Sequence, residues 1–382
     1  MRIMAAGGKD LGEGNNQMET YAQRSVKHCL NMLAPFEASD PQDENGQLEF
    51  YQLMVLIYQG MYESPEEYLV FPRPYEEYLA KLQQRASQKN KEKEHVSDSR
   101  ESTLRNTFQQ AIQFYALYFF NLGLKSISLD QRTSSLVIMK KDYEFVLHQM
   151  KRNHGAEYND ERYEQLMRLG IQTEEKNDAV YVSHKVYKNA MSGLQYLCKA
   201  PDSKYKWMNF LRLDYKNAYA PIPTVDDICR TLSADSAKTV KRLEDSLAGM
   251  EIKAKIKPLR GIVSDFKWKV EYSIKGKNIC GFYADHEYLM LCVYFNNFMN
   301  ITEFAGILHE EDDELFQWFK AQFPERLCKC PNNRRVYFGE EPRRICGLSN
   351  RAEIVNPNSE DAERTLYILK RYRNMHELAE KE

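Results

Sequence analysis

Three cysteines gather near the C-terminal end of the chain: Cys328, Cys330 and, beyond Pro331 and the stretch 336–344, Cys346. Thiolates are good zinc ligands, and a Cys-x-Cys step turns two sulfurs toward one ion from an extended turn. A structural zinc site takes four ligands. The fourth would have to come from His309, Cys292 or another distant position, and the spacing departs from the usual Cys-x-x-Cys pair. The favoured reading is three reduced cysteines in a compact C-terminal loop, with no resident cofactor. Cys29, Cys198, Cys229, Cys280 and Cys292 stand singly among apolar neighbours. They read as small buried hydrophobes of a reducing compartment, and none has a His or Asn partner that would mark a nucleophile.

A second chemistry lies between Glu251 and Lys277. Eight basic residues there meet three acidic ones, a local charge of +5. Residues 251–257 and 266–274 alternate polar and apolar, so Lys253, Lys255 and Lys257 share one face of a strand, as do Lys267 and Lys269 in the next. Such a face suits an anionic small molecule or a nucleic acid. Alternating lysine is also the ordinary wet side of an antiparallel strand, which is the simpler reading. Trp268, Tyr272 and Tyr283, from the same strands, would wall a ligand cavity if they converged; the usual role of such rings is core packing.

Two further arrangements come from helical segments. Residues 140–183 read as helix, turn, helix and two-stranded wing, the order of a winged-helix nucleic-acid binder. The second helix, 159–169, sets Asp160, Glu161 and Glu164 against Arg162 and Arg168, a net charge of -1 that argues against DNA contact. His309 is followed by five carboxylates, residues 310–314, which could chelate a cation but more simply favour the positive end of a helix at 312–323. The chain has no phosphate-cradling glycine loop, no nucleophile elbow and no His-Glu-x-x-His.

The elements that must position these groups follow from periodicity. Apolar residues at helical spacing predict helices over 16–33, 48–61 and from Thr103 onward, where Leu104, Phe108, Ile112, Tyr115 and Phe119 form a stripe. Residues 89–101 balance four basic against four acidic residues and read as a solvated linker. Residues 171–183 carry a hairpin signal with a charged tip. Thr224 with Asp227 is a helix-capping signature. After Gly249 the period becomes two, and four strands joined by short turns make an antiparallel meander, followed by a closing helix over 359–376. The expected fold is α+β: an N-terminal helical segment (1–88), a linker (89–102), a helical domain with one hairpin (103–218), and an α+β domain whose meander packs on helices (219–382).

Three segments carry a resemblance. Leu169-Gly170-Ile171 with the hairpin and Tyr187-Lys188-Asn189-Ala190-Met191, the 268–295 meander, and Ile354-Val355-Asn356-Pro357 before the final helix are together similar to uncharacterised α+β domains of Gram-positive anaerobes, domains of unknown function. The resemblance covers the last two-thirds of the chain and implies a bacterial source, an α+β fold and no established activity.

Composition bounds the rest. The chain has 382 residues, 43% of them hydrophobic and 12% aromatic, enough for a sizeable core and unlike a disordered chain. A net charge of -2 gives no global pull toward nucleic acid or lipid. The apolar run 3–6 is too short for a signal-peptide core, and the greasiest window, 111–124, is too short to span a bilayer. The expectation is a cytoplasmic binding or interaction protein with no membrane partner, using the aromatic cavity or the basic sheet face for a small molecule or a protein. The alternatives are a winged-helix nucleic-acid binder and an enzyme without a recognisable motif.

Overall fold

The computed structural model describes residues 20–70, 100–150, 158–201, 205–221, 223–248, 252, 254–258, 267–274, 276–285, 288–295, 301–323, 333–346 and 351–379. These fall into two compact units that divide between residues 220 and 221. The charged stretch 89–99 lies outside the described residues, whereas Arg100 already belongs to a helix. The fold is mixed α+β with antiparallel sheets. No helix among the described residues is long and apolar enough to cross a membrane.

In the first unit, α1 (Tyr21–Asn31) opens on a capping box: the Thr20 hydroxyl accepts from Gln23 N and the Gln23 side chain accepts from Thr20 N. It packs on α2 (Glu44–Glu63) and on the long α3 (Arg100–Lys125). The expected stripe is buried where its side chains are described, at Ile112, Tyr115 and Phe119. Phe114, Ala116, Tyr118 and Leu122 are buried as well, because neighbours close around α3 on several sides. α2 also crosses α6 (Ala190–Lys199) at Gly46 and Gly193. A Cβ on Gly193 would stand 2.2 Å from the Gly46 carbonyl oxygen, so only glycine allows this approach.

The unit also holds a sheet larger than the hairpin expected from sequence. β1 (Ser128–Asp130) and β2 (Ser135–Met139) precede α4 (Lys140–Met150) and α5 (Asn159–Arg168); β3 (Ile171–Lys176) and β4 (Ala179–His184) follow. The strand order is β1-β2-β4-β3, every pair antiparallel. Asn177 and Asp178 form the hairpin tip with φ of 46° and 64°, the conformation a two-residue turn requires. Its base is closed by His184, 1% exposed. The imidazole Nε2–H donates to Leu169 O at 2.9 Å, while Nδ1 accepts from Val186 N and Tyr187 N. Two short helices, α7 (Lys206–Arg212) and α8 (Tyr215–Ala218), complete the unit.

In the second unit, α9 (Val225–Cys229) is capped by Thr224 and Asp227 as their spacing predicts, and α10 (Ala234–Ala248) follows. Then come β5 (Ala254–Pro258), β6 (Trp268–Ile274), β7 (Lys277–Asp285) and β8 (Tyr288–Tyr294) as an antiparallel meander. A fifth strand, β11 (Arg351–Val355), joins the open side of β8, giving the order β11-β8-β7-β6-β5. Between them lie α11 (Ile301–Glu311), α12 (Asp313–Ala321) and a two-stranded ribbon, β9 (Asn333–Phe338) with β10 (Glu341–Cys346); α13 (Ser359–Ala379) ends the chain's described part. Phe295, Phe304, Phe319, Phe323 and Phe338 form one ring cluster, neighbouring centroids 5.0–6.1 Å apart, that ties α11, α12 and the ribbon together.

Burial holds the His184 imidazole below its ordinary value. The unfolded chain therefore binds that proton more readily than the folded one. His184 contributes its full stability above about pH 6.5 and loses it as the pH falls through that point. His184→Ala strands three backbone groups and should cost about 1–3 kcal/mol in urea denaturation followed by fluorescence; the variant should also lose the wild type's decline in stability between pH 7 and 5.

Candidate functional site

The five-stranded sheet has two unlike sides, set by the pleat and by the strand register. On one side stand Trp268, Val270 and Tyr272 of β6, Cys280, Phe282 and Ala284 of β7, Leu289, Leu291 and Val293 of β8, and Ala352 and Ile354 of β11, all buried. The Tyr272 hydroxyl donates to Glu244 of α10, which anchors that helix to this side. Trp268 and Tyr272, expected as cavity walls, are therefore core residues. Register pairs Lys269 with Tyr283 and so turns Tyr283 to the opposite side. The three rings cannot wall one pocket, which corrects the aromatic-cavity expectation.

The other side is polar and forms rows across the strands. One row reads Lys257, Lys269, Tyr283, Met290, Val355; the next reads Lys255, Glu271, Gly281, Cys292, Glu353; Tyr294 and Arg351 begin a third. Gly281 stands at the middle. A Cβ there would meet Val270 O at 2.4 Å, so the close approach of β6 demands glycine, and the centre of the face carries no side chain. Lys269, Glu271, Tyr283, Cys292, Tyr294 and Arg351 surround this gap.

Charge on the rim is organised in pairs. The Glu271 side chain, 4% exposed, accepts from Lys269 Nζ at 2.6 Å and from Lys257 Nζ. Burial pushes its carboxyl up, yet the two ammonium groups outweigh this and hold it below the usual range. Burial likewise works against the Lys269 ammonium, but Glu271 and the neighbouring tyrosines raise it overall. Lys269 Nζ lies 5.3 Å from the Tyr283 ring centre and 5.9 Å from that of Tyr294. Arg351 is held by Glu353 (Nε–Oε1 2.8 Å, Nη2–Oε1 2.7 Å) and donates from Nη1 to the Tyr283 hydroxyl at 2.8 Å. A guanidinium has five N–H donors, so the fork keeps hydrogen-bonding capacity beyond these contacts. The Tyr294 hydroxyl oxygen is out of solvent and has no hydrogen-bond partner among the described residues. The Cys292 thiol is pushed up to about 12 by burial, so at neutral pH it is a neutral thiol and no nucleophile.

Of the lysines expected on this face, Lys255 and Lys257 are there, with Lys255 exposed and Lys257 committed to Glu271. Lys253 lies outside the described residues, as do Cys328 and Cys330. Cys346 ends β10, paired in register with Asn333. Among the described residues no group of three or more His, Cys, Asp or Glu side chains is placed to hold a metal ion. The acidic run after His309 is structural. Asp312 caps α12, Glu311 and Glu314 take Arg371 and Arg364 of α13, and His309 faces Asp313 at 3.6 Å. The tryptophans do not converge either. Trp207, in the first unit, stacks on Phe210, whereas Trp318 donates from Nε1 to Asp361 at 2.8 Å.

Arg351, Glu353, Tyr294 and Gly281 are not singled out by the sequence pattern, and Cys292 is singled out there only as a possible zinc ligand. The signal was the alternation of Arg351, Glu353 and Val355 with Ala352 and Ile354, a strand pattern in five residues.

Glu271→Gln should leave Lys269 with a weakened partner and cost about 1–3 kcal/mol in denaturant unfolding. Since the folded carboxyl is depressed, wild-type stability from this group should be complete above about pH 4.5 and vanish as acid titrates it, a dependence the variant lacks. No family model, curated protein or solved structure matches this chain.

Proposed function

We propose that this chain is a binding protein and that its ligand site is the polar face of the second unit's sheet, centred on Gly281. One observation carries the reading. A gap in the side-chain layer is surrounded by two cations and two tyrosines, with the Tyr294 hydroxyl buried and lacking a partner among the described residues. Lys255, Lys257, Lys269 and Arg351 outnumber Glu271 and Glu353 by two charges, so the ligand is a small anion. Arg351, pre-oriented by Glu353, supplies a fork suited to a carboxylate or phosphate oxygen pair. Lys269 supplies a second positive charge, and Tyr283 an aromatic surface. Glu271, held by Lys257 and Lys269, and Glu353, held by Arg351, compensate these charges within the face itself.

A second reading rests on the first unit. Helix α3, strand β2, helices α4 and α5, then β3 and β4, with β4 between β2 and β3, is the order of a winged helix. Its α5 would be the groove-entering helix. Arg162 of α5 is 1% exposed and donates to Leu69 O and Asn159, so its charge is spent inside. The outward side keeps Asp160, Glu161, Glu164 and Arg168, a net charge of -2 that repels duplex DNA. The sheet-face reading is therefore the stronger.

Inorganic phosphate, a nucleoside monophosphate and an aromatic carboxylate, each at millimolar concentration, are suitable probes for thermal unfolding of the full chain. At least one should raise Tm by a few degrees through mass action, and Lys269→Met or Arg351→Met should abolish the rise. A rise that survives both substitutions, or none with any anion, would refute the assignment.

A further inference from the structure

The β9–β10 ribbon stands apart from the five-stranded sheet and carries its own charge pattern. Its inward side is apolar: Val336, Phe338 and Ile345 are buried, and Phe338 joins the Phe319–Phe323 ring cluster. Thr302 of α11 further pins it by accepting from Tyr337 N at 3.1 Å. Arg343 belongs to this anchoring too, since it pairs with Glu341 and donates to the Lys320 and Phe323 carbonyls.

The outward side is different. Arg335 and Arg344 sit directly opposite one another in register, and both are exposed. Neither has an ion pair or side-chain hydrogen bond among the described residues. Directly opposed residues of an antiparallel pair have Cβ atoms about 4.5–5.5 Å apart, and like charges at that spacing repel. Two residues along the same face, Tyr337 is 43% exposed and lies opposite Pro342. Glu340, at the turn, is an exposed acid, but three residues of strand and the turn itself put it about 13 Å from Arg335. That exceeds the Debye length of about 10 Å at 0.1 M salt. Glu341 is already held by Lys320 and Arg343.

We propose that this face binds single-stranded nucleic acid, with one backbone phosphate between Arg335 and Arg344 and an unpaired base on the Tyr337 ring. Two guanidinium groups facing one another create a demand for a shared anion, and bidentate phosphate recognition is what this side chain does best. The adjacent exposed ring selects for a strand whose bases are free to stack, and so disfavours a duplex. The site is separate from the Gly281 face and shares no residue with it.

The test uses the full chain and a fluorescein-labelled dT 12-mer, with anisotropy read at 50 mM salt. The wild type should bind. Arg335→Gln with Arg344→Gln should weaken binding at least tenfold and flatten the slope of log K against log salt by about 0.7, the value for the one phosphate they share. Tyr337→Ala should weaken binding about tenfold while leaving the slope unchanged. Lys238→Gln, an exposed lysine of α10, should bind as wild type. Arg344→Thr should lose affinity while its Tm stays level or rises, because the opposed charge is relieved. No binding at 50 mM salt, full affinity in the double arginine variant, or equal affinity for a duplex of that length would overturn the proposal. So would a fall in Tm for Arg344→Thr, which would make the pair structural.

Discussion

A carboxylate sealed inside a sheet is tolerated only if its charge is answered on the spot, and Glu271 is such a group. Lys257 and Lys269 answer it from the neighbouring strand and from two residues away on its own. That triad fixes the second unit's sheet. A slip of one residue in the pairing of β6 would turn Glu271 into the layer occupied by Val270, Tyr272 and Phe282, where nothing of opposite charge waits. Once Glu271 is committed to the polar side, the register carries Gly281, Cys292 and Glu353 with it, and the row beyond brings Lys269 and Tyr283. The candidate site follows from where one buried charge can be neutralised.

The two units spend their buried polar groups differently. In the first, His184, Gln47 and Arg162 turn inward to satisfy backbone groups: Leu169 O and two amides, Ser39 N and Asp40 O, and Leu69 O. These contacts close chain ends and turns, and they leave little exposed chemistry. In the second unit the tied charges lie on a half-exposed face, where the Tyr294 hydroxyl, like several buried polar atoms of the first unit, has no hydrogen-bond partner among the described residues. The ribbon shows both uses within a few residues, with Arg343 locked to carbonyl groups and Arg335 and Arg344 turned outward.

Local signals were legible where their physics is local. The Thr224–Asp227 cap, the hairpin within 171–183 and the alternation after Gly249 depend on neighbours a few residues away and appear in the structure, although the hairpin's tip is narrower than the polar run 174–178, confined to Asn177 and Asp178. β1 has three residues, and β2 is a short apolar run, Leu136 to Met139 after Ser135, that shows no alternation, so neither length nor periodicity declares them; β2 is a strand because β4 pairs with it. β11 alternates for five residues, too few to stand apart from a loop without the exposed edge of β8.

The candidate site divides along the same line. Alternation alone put Lys255 and Lys257 on a common face, because successive side chains of a strand point to opposite sides. It could not say whether Tyr283 belongs with them or with Trp268 and Tyr272, since that depends on which residue of β7 meets which residue of β6. The sequence by itself determined the α+β class, most of the helices, the meander and the two-sidedness of each strand. Tertiary structure alone decided the register, the arrival of Arg351 and Glu353 from some sixty residues downstream, and the gap above Gly281. The physical reason is that pleat parity is a property of one strand, whereas register is a property of a pair, chosen by burial and charge compensation across the whole sheet.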